Sequence, residues 1–255
     1  MDERLLSPLS KDLDLGGISY IEPVRGGSPG WYYGMDYPAG DPYEAMEIWQ
    51  SGTAPEGTNF KLIHWPDGTV YTPLEKRPGL VIGSPAANAG TVYLLAIDFP
   101  AGKITVYEFG FPEGAPSGAG NGSGVCAPGA GHAAQGSEPR LRTLAELPLS
   151  EGEDCYNLML HTRPLTLSLQ GNGPLDDGRE AYRFRMVWPQ KACFEIGPNE
   201  SFGEREGDLL YFSAWYEDPD YREETVVRSA ADGAVLGTLE GDVVRMPDGT
   251  LWRVR

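Results

Sequence analysis

The sequence contains few cysteines, comparatively little positive charge and no long apolar run. Its three cysteines, Cys126, Cys155 and Cys193, are an odd number and too few for a disulfide framework. The first residues are polar and acidic, without the apolar core of a signal peptide, and no later segment reaches transmembrane length. We therefore expect a cytoplasmic protein that does not have a membrane as its partner.

Basic residues are outnumbered by acidic ones, 20 to 37, which gives a formal net charge of −17. The acidic excess is spread through both halves of the chain. A field of this sign repels phosphate backbones, so nucleic acid is excluded as an expected partner. An unknown protein or a neutral sugar ligand remains, and the charge itself also favours solubility.

Turn-forming residues are abundant, with 34 glycines and 22 prolines between strand-like runs. This composition predicts an all-β protein with many turns. The clearest strand pattern covers residues 91–109, two strands joined by a short loop at residues 99–102. The strands are apolar on both faces, as Leu94 and Leu95 illustrate, so the hairpin requires cover on both sides. The segment Leu209–Tyr216 has the same two-sided pattern.

A proline–glycine turn recurs along the chain. Residues 65–69 (WPDGT) and 246–250 (MPDGT) are near-copies, and residues 99–103 (FPAGK) are a looser third. Strands covered on two sides and joined by tight turns predict a small β-propeller-like arrangement of antiparallel hairpins. At roughly 40–50 residues a blade, this length predicts about five or six blades. Because the turn copies are unevenly spaced, a two-sheet β-sandwich is the alternative.

One short N-terminal helix interrupts this pattern, and it is predicted over Pro42–Gln50. Asp41 stands where an N-cap is required, and proline suits the first helical position. Apolar side chains recur at a spacing of three residues, which is typical of one buried helix face. That face is predicted to consist of Tyr43, Met46 and Trp49.

Residues 111–139 are rich in Gly, Ala, Ser and Pro and resemble a flexible insert. We interpret residues 1–255 as a single β domain that carries this insert on its surface. The alternative is that the insert links two β domains, residues 1–110 and 140–255.

Two Cys-x5-His pairs, Cys126 with His132 and Cys155 with His161, raise the question of zinc. The spacing matches no usual structural zinc pattern, and the first pair lies in the insert, so no metal site is predicted. A Cys–His nucleophile pair would need Cys155 or Cys193 to meet His161 in space. The sequence has neither a Gly-x-Ser-x-Gly elbow nor a phosphate-binding loop, and no cofactor is predicted.

Acids and aromatic rings are concentrated near the N-terminal helix. Sugar-binding clefts use such rings as stacking platforms, and glycosidases add a pair of carboxyl groups. The same residues also describe a short helix packed by its aromatic side chains, with its acids facing water, and we favour this interpretation. The candidate binding residues are Trp31, Tyr32, Tyr33, Asp36, Tyr37 and Glu44.

Residues 40–52, 61–73 and 92–109 together resemble a group of uncharacterised bacterial proteins of propeller-like β architecture. The resemblance covers about the first 110 residues and rests on the order of elements and on the turn motifs. It implies the β architecture and transfers no functional residue. Because no catalytic constellation is present, we expect a non-enzymatic binding or scaffolding module. A carbohydrate-active hydrolase is the alternative, using acids between residues 36 and 47: Asp36, Asp41, Glu44 and Glu47.

Overall fold

The computed structural model describes residues 11–26, 30–37, 41–111, 138–152, 155–174 and 180–255. Within these ranges the chain is predominantly β, with one α-helix and a single 3-10 turn at Leu149–Gly152. Residues 112–137, most of the predicted insert, lie outside the described residues. The choice between one domain and two therefore stays a prediction.

The strands form four antiparallel sheets and a terminal hairpin, which follow one another along the chain. Sheet 1 consists of β1 (Glu22–Pro23), β2 (Trp31–Met35), β3 (Phe60–His64) and β4 (Thr69–Tyr71). Sheet 2 consists of β5 (Leu80–Ile82), β6 (Ala86–Asn88), β7 (Thr91–Asp98), β8 (Lys103–Gly110) and β9 (Arg140–Pro148). Both β5 and β6 pair with β7.

The second half of the chain is more regular. Sheet 3 consists of β10 (Cys155–Thr162), β11 (Leu165–Pro174), β12 (Glu180–Trp188) and β13 (Ala192–Ile196). Sheet 4 consists of β14 (Glu200–Glu206), β15 (Leu209–Tyr216), β16 (Arg222–Ser229) and β17 (Val235–Glu240). The terminal hairpin consists of β18 (Asp242–Arg245) and β19 (Leu251–Val254). In sheets 3 and 4 each strand pairs with the next one in sequence.

The four sheets form a propeller-like arrangement, which confirms the predicted fold class. The fold is therefore not the two-sheet β-sandwich of the alternative. The prediction of five or six blades is wrong. Two long connections contain residues that a compact blade would not require, so fewer blades form than the chain length predicts. The helix lies between β2 and β3, and the segment predicted as an insert lies between β8 and β9.

The predicted helix, α1, runs over Pro42–Gln50 as expected. The Asp41 carboxylate accepts a hydrogen bond from the Glu44 backbone N–H at 2.9 Å and so caps the first turn. Met46 is buried, and Trp49 packs on Phe99 with ring centroids 5.6 Å apart. The prediction that Tyr43 is buried is wrong: the residue is 41% exposed. Its hydroxyl donates outward to the Glu47 carboxylate on the same helix.

Three apolar cores lie between successive sheets, and each sheet of the middle pair contributes to two of them. Strand β7 illustrates this, because Leu94 packs between sheets 1 and 2 whereas Leu95 packs between sheets 2 and 3. Phe184 and Phe212 fill the space between sheets 3 and 4, with ring centroids 5.3 Å apart. The two-sided cover predicted for residues 91–109 is therefore confirmed.

Sheet 4 departs from this rule. In β15, Leu210 and Phe212 are buried in the third core, whereas Trp215 on the opposite face is 43% exposed. The two-sided cover predicted for Leu209–Tyr216 is wrong because no fourth apolar core joins sheet 4 to sheet 1 within the described ranges. The terminal hairpin lies in that position and closes the arrangement only in part.

Candidate functional site

The space between sheet 4 and sheet 1, which we call the seam cleft, is a cavity of about 490 Å³. Sheet 1, sheet 4 and the terminal hairpin each supply part of its wall. Representative residues are Val24 and Tyr32 from the first, Ser201 and Ser213 from the second, and Val243 and Met246 from the third. Ser201 and Ser213 face each other across β14 and β15. The wall is thus mostly apolar, with small hydroxyl groups on one side.

A second, smaller cavity of about 20 Å³ adjoins the seam cleft, and we call it the axial pocket. The two cavities share Arg25, Gly26, Glu204 and Arg245. All four sheets and the terminal hairpin contribute to the pocket, which places it where their inner strands converge. Its wall includes Arg25, Ala86, His161, Glu204, Arg205 and Arg245.

Gly26 allows the chain to reach this position. Its φ of +104° lies in the left-handed region that favours glycine, and an added Cβ would overlap the carbonyl oxygen of Ala87. The neighbouring Arg25 forms a parallel bridge with Ala86, and its carbonyl accepts from the Ala87 N–H at 2.6 Å. This close backbone contact places Arg25 beside sheet 2, in the wall of the axial pocket.

Arg245, at the end of β18, is the most connected side chain of the pocket and only 6% exposed. Its guanidinium donates to Glu204 at 3.0 Å and to Glu206 at 2.9 Å. It also donates to the carbonyl oxygens of Arg205 at 2.7 Å and of Gly249 at 2.8 Å. One side chain therefore ties the terminal hairpin to β14 and fixes the turn between β18 and β19.

Arg25 is held far more loosely. Its guanidinium approaches Glu204 at 3.5 Å, and its side chain is 60% exposed. The shorter bond from Arg245 goes to the other oxygen of this carboxylate, Oε2. Arg25 therefore presents N–H groups toward the shared region of the two cavities.

Arg205 is 5% exposed and lies on the sheet 3 side of the pocket. It donates to the Gly207 carbonyl at 3.0 Å and to the Thr166 hydroxyl at 2.6 Å, and its Nη1 lies 3.3 Å from the sulfur of Met186. No carboxylate of the described residues lies within ion-pair distance of it. Burial lowers the pKa of this guanidinium, which nevertheless remains charged at neutral pH.

His161, near the end of β10, is buried against Phe202, with ring centroids 4.4 Å apart. Its Nε2 has no hydrogen-bond partner in the part of the chain that the structure describes. Burial, together with the positive charges of Arg25, Arg205 and Arg245, lowers the pKa of the imidazole to about 3. The ring is therefore neutral at physiological pH.

Two of the six candidate binding residues lie at the seam cleft: Trp31 and Tyr32. Trp31 is nevertheless largely buried, with its ring on His64 and its Nε1 donating to the Gly90 carbonyl at 3.2 Å. Tyr33 points into the core between sheets 1 and 2, where its hydroxyl donates to Glu22. Burial raises the pKa of Tyr33 to about 12.

The other three candidates lie elsewhere. Asp36 accepts hydrogen bonds from the Asn59 backbone and from Lys76, at 2.5 and 2.9 Å. Tyr37 stacks on Tyr20, and Glu44 is exposed in the first turn of α1. The structure thus brings Trp31 and Tyr32 to the cleft and leaves these three outside it. Whether any of the six binds a ligand stays a prediction.

The acids considered for hydrolysis have structural partners. Asp36 pairs with Lys76, Asp41 caps α1 and Glu47 accepts from Tyr43. Among the described residues, no group of three or more His, Cys, Asp and Glu side chains could hold a metal ion. Cys126 and His132 lie outside the described residues, while Cys193 is free and exposed.

Sequence reasoning missed most of the axial pocket. Strand β14, which carries Glu204 and Arg205, was not predicted because its sequence, ESFGERE, alternates no apolar residues. Arg245 comes directly before the MPDGT turn, but nothing near it in sequence indicated its partners. His161 was considered only as a cysteine partner. No local signal could have grouped these residues, since they come from three separate strands, β10, β14 and β18.

Comparison of the chain with models of known families, with curated proteins and with solved structures finds no match. The resemblance of the N-terminal segments to the group named above is one of fold alone. In the described ranges, no helix combines the length and the apolar character needed to cross a membrane.

Proposed function

We propose that the protein is a non-enzymatic binding module that holds a small-molecule ligand in the seam cleft. One observation carries the proposal: three of the four spaces between successive sheets are filled with apolar side chains, and the fourth is a cavity of about 490 Å³. This volume falls within the range of small-molecule sites, roughly 300–1,000 Å³. The wall combines apolar surface with a few polar groups at one end, as such sites do.

The polar groups at that end support binding more than catalysis. Glu204 accepts from two arginines, so its carboxylate is a poor general base. His161 is neutral and lies behind the arginines in the axial pocket. We further propose a cytoplasmic location, which the free, exposed Cys193 supports because reducing compartments keep such thiols free.

Ligand-observed NMR against a chemically mixed panel tests the proposal. The panel contains aliphatic and aromatic carboxylates, alcohols, amines and monosaccharides. We expect at least one class to bind, and we expect Ser213→Trp to abolish binding because the indole would occupy the seam cleft. Ser201→Trp, on the facing strand, should act in the same way.

Thr238→Trp is the matched control, because it adds the same side chain at an exposed position on the outer strand of sheet 4. It should leave binding unchanged. Circular dichroism verifies that all three variants remain folded. Binding that survives both cleft-filling substitutions would contradict the proposal, as would the absence of binding across the whole panel.

A further inference from the structure

We propose that the ligand of the seam cleft carries one carboxylate, which binds at the axial pocket between Arg25 and Arg205. This inference rests on the proposed function and adds to it the chemical class of the ligand. It assigns the charged end of the ligand to the axial pocket and its apolar body to the seam cleft.

Charge in the axial pocket is opposite in sign to that of the whole protein. Three guanidinium groups line the pocket, from Arg25, Arg205 and Arg245, against the single carboxylate of Glu204. The protein as a whole has a net charge of −17. A local cluster of fixed cations in a partly desolvated site attracts an anion regardless of the distant, solvent-screened field.

The carboxylates that balance these arginines lie outside the wall of the pocket. Arg163 lies 3.9 Å from Glu206, which also accepts from Arg245, and the charge of Arg163 acts on the exposed Asp248. Asp208, which is exposed, is the carboxylate whose charge acts on Arg205. With these groups included, four arginines face four carboxylates, so the excess of positive charge is confined to the wall of the pocket, where three guanidinium groups meet one carboxylate.

Hydrogen-bond donors are free where that anion would bind. Arg25 is tied to Glu204 by one contact of 3.5 Å, so its planar fork can bind a carboxylate through two parallel bonds. Arg205 is buried without a carboxylate partner among the described residues, which is costly for a charged group. His161 adds a buried, neutral imidazole whose Nε2 has no partner in the same part of the chain and can donate to an oxygen.

The sizes of the two cavities assign the two ends of the ligand. The axial pocket, at about 20 Å³, has room for one oxygen-sized group, so one carboxylate oxygen of the ligand can enter it and the apolar body cannot. The seam cleft offers about 490 Å³ with an apolar wall that includes Val24, Val243 and Met246. An apolar body of moderate length, such as a medium-chain fatty acid or an aryl-alkyl acid, fits this shape.

Isothermal titration calorimetry with three probes of equal chain length tests the inference: octanoate, 1-octanol and octylammonium. We expect octanoate to bind the full chain about tenfold more tightly than 1-octanol, since hydrogen bonds to charged groups are the stronger ones. Octylammonium should bind most weakly. Arg25→Gln should reduce octanoate affinity about tenfold and leave 1-octanol affinity unchanged, and Arg25→Lys should have an intermediate effect because it keeps the charge alone.

Arg253→Gln is the control, because Arg253 is exposed on β19 and lines neither cavity. It should change none of the three affinities. Equal binding of octanoate and 1-octanol would overturn the inference while the proposed function stands. Failure of every probe, here and in the mixed panel, would instead remove the proposed function. Displacement of octanoate by inorganic phosphate at constant ionic strength would overturn the assignment to a carboxylate.

Discussion

Arg25 and Glu204 are 179 residues apart in the chain, yet the guanidinium of the first lies 3.5 Å from the carboxylate of the second. The contact joins the first sheet to the fourth and so closes the propeller-like arrangement. The other three junctions between sheets are made by apolar cores. The seam is thus held by hydrogen bonds and ion pairs around an open cleft, and we expect it to be the first junction to open.

Replacing Arg245 with methionine should strongly destabilise the fold. The substitution removes four hydrogen bonds and leaves Glu204 and Glu206 without their main partner. Breaking a buried ion pair costs about 3–5 kcal/mol, and we expect a loss of this size in the free energy of unfolding. Urea denaturation measures it. Arg253→Met, at an exposed position on the paired strand, should change stability by less than about 0.5 kcal/mol. Equal effects of the two substitutions would contradict the role given to Arg245.

Acid should destabilise the protein through His161. The pKa of this residue is about 3 in the folded protein, against 6.5 for the free side chain. Between these values the unfolded chain binds a proton that the folded chain does not, so stability falls as pH falls through this window, by about 1.4 kcal/mol per pH unit. Carboxylates also make stability depend on pH. The measurement therefore compares the pH dependence of the free energy of unfolding in the unaltered protein and in His161→Phe, which keeps a ring on Phe202. The variant should lose stability less steeply from pH 6.5 to 4.5, and parallel slopes would show that His161 is not the cause.

Gly26→Ala should disturb the approach of Arg25 to the axis. The added Cβ would meet both an unfavourable positive φ and the carbonyl oxygen of Ala87. Gly52→Ala is a matched control, with a φ of +87° and no atom within 4 Å of the new Cβ. The control should lose about 1–2 kcal/mol for its backbone conformation alone. Gly26→Ala should lose about 1–3 kcal/mol more, as overpacked sites do, measured by chemical denaturation. Equal losses would mean that the chain relaxes freely around residue 26.

Gln170→Leu should loosen the junction between sheets 3 and 4. The side-chain oxygen accepts from the Phe202 N–H at 2.7 Å, and its nitrogen donates to the Glu200 carbonyl at 3.1 Å. Leucine would leave both backbone groups without these bonds, at about 1–3 kcal/mol for each buried group. Gln50→Leu, at the exposed end of α1, is the control and should be nearly neutral. Amide hydrogen exchange should show faster exchange at Phe202 in the first variant only.

Local physics accounts for the part of the fold that the sequence predicted. The cap at Asp41 and the proline after it define the start of α1, and the two-sided apolar pattern of residues 91–109 defines β7 and β8. Such features depend on neighbours in sequence, so a single chain reveals them. The number of sheets could not be predicted from such local features, because it depends on how many residues lie in the connections between strands.

The candidate site depends on distant parts of the chain, and this is why it was not predicted. Strand β14 is charged because its side chains meet Arg25, which follows β1, Thr166 of β11 and Arg245 of β18. A charged segment without apolar alternation is predicted as a loop. Tyr32 was predicted as a binding residue because of its aromatic ring, and it lies at the seam cleft. No sequence pattern indicated that Arg25 and Arg245 line the same cleft. The net charge of −17 also gave no indication that three guanidinium groups line the axial pocket.

The position of the terminal hairpin has a consequence for how the protein is made. A nascent chain that has left the ribosome only as far as β17 contains Glu204 and Glu206 but not Arg245. Sheets 1 to 4 can stack in order of synthesis because each contacts the one before it. Completion of the seam must wait for residues 242–254, so during translation Glu204 has only the long contact with Arg25, and the wall of the seam cleft lacks the part that the terminal hairpin supplies.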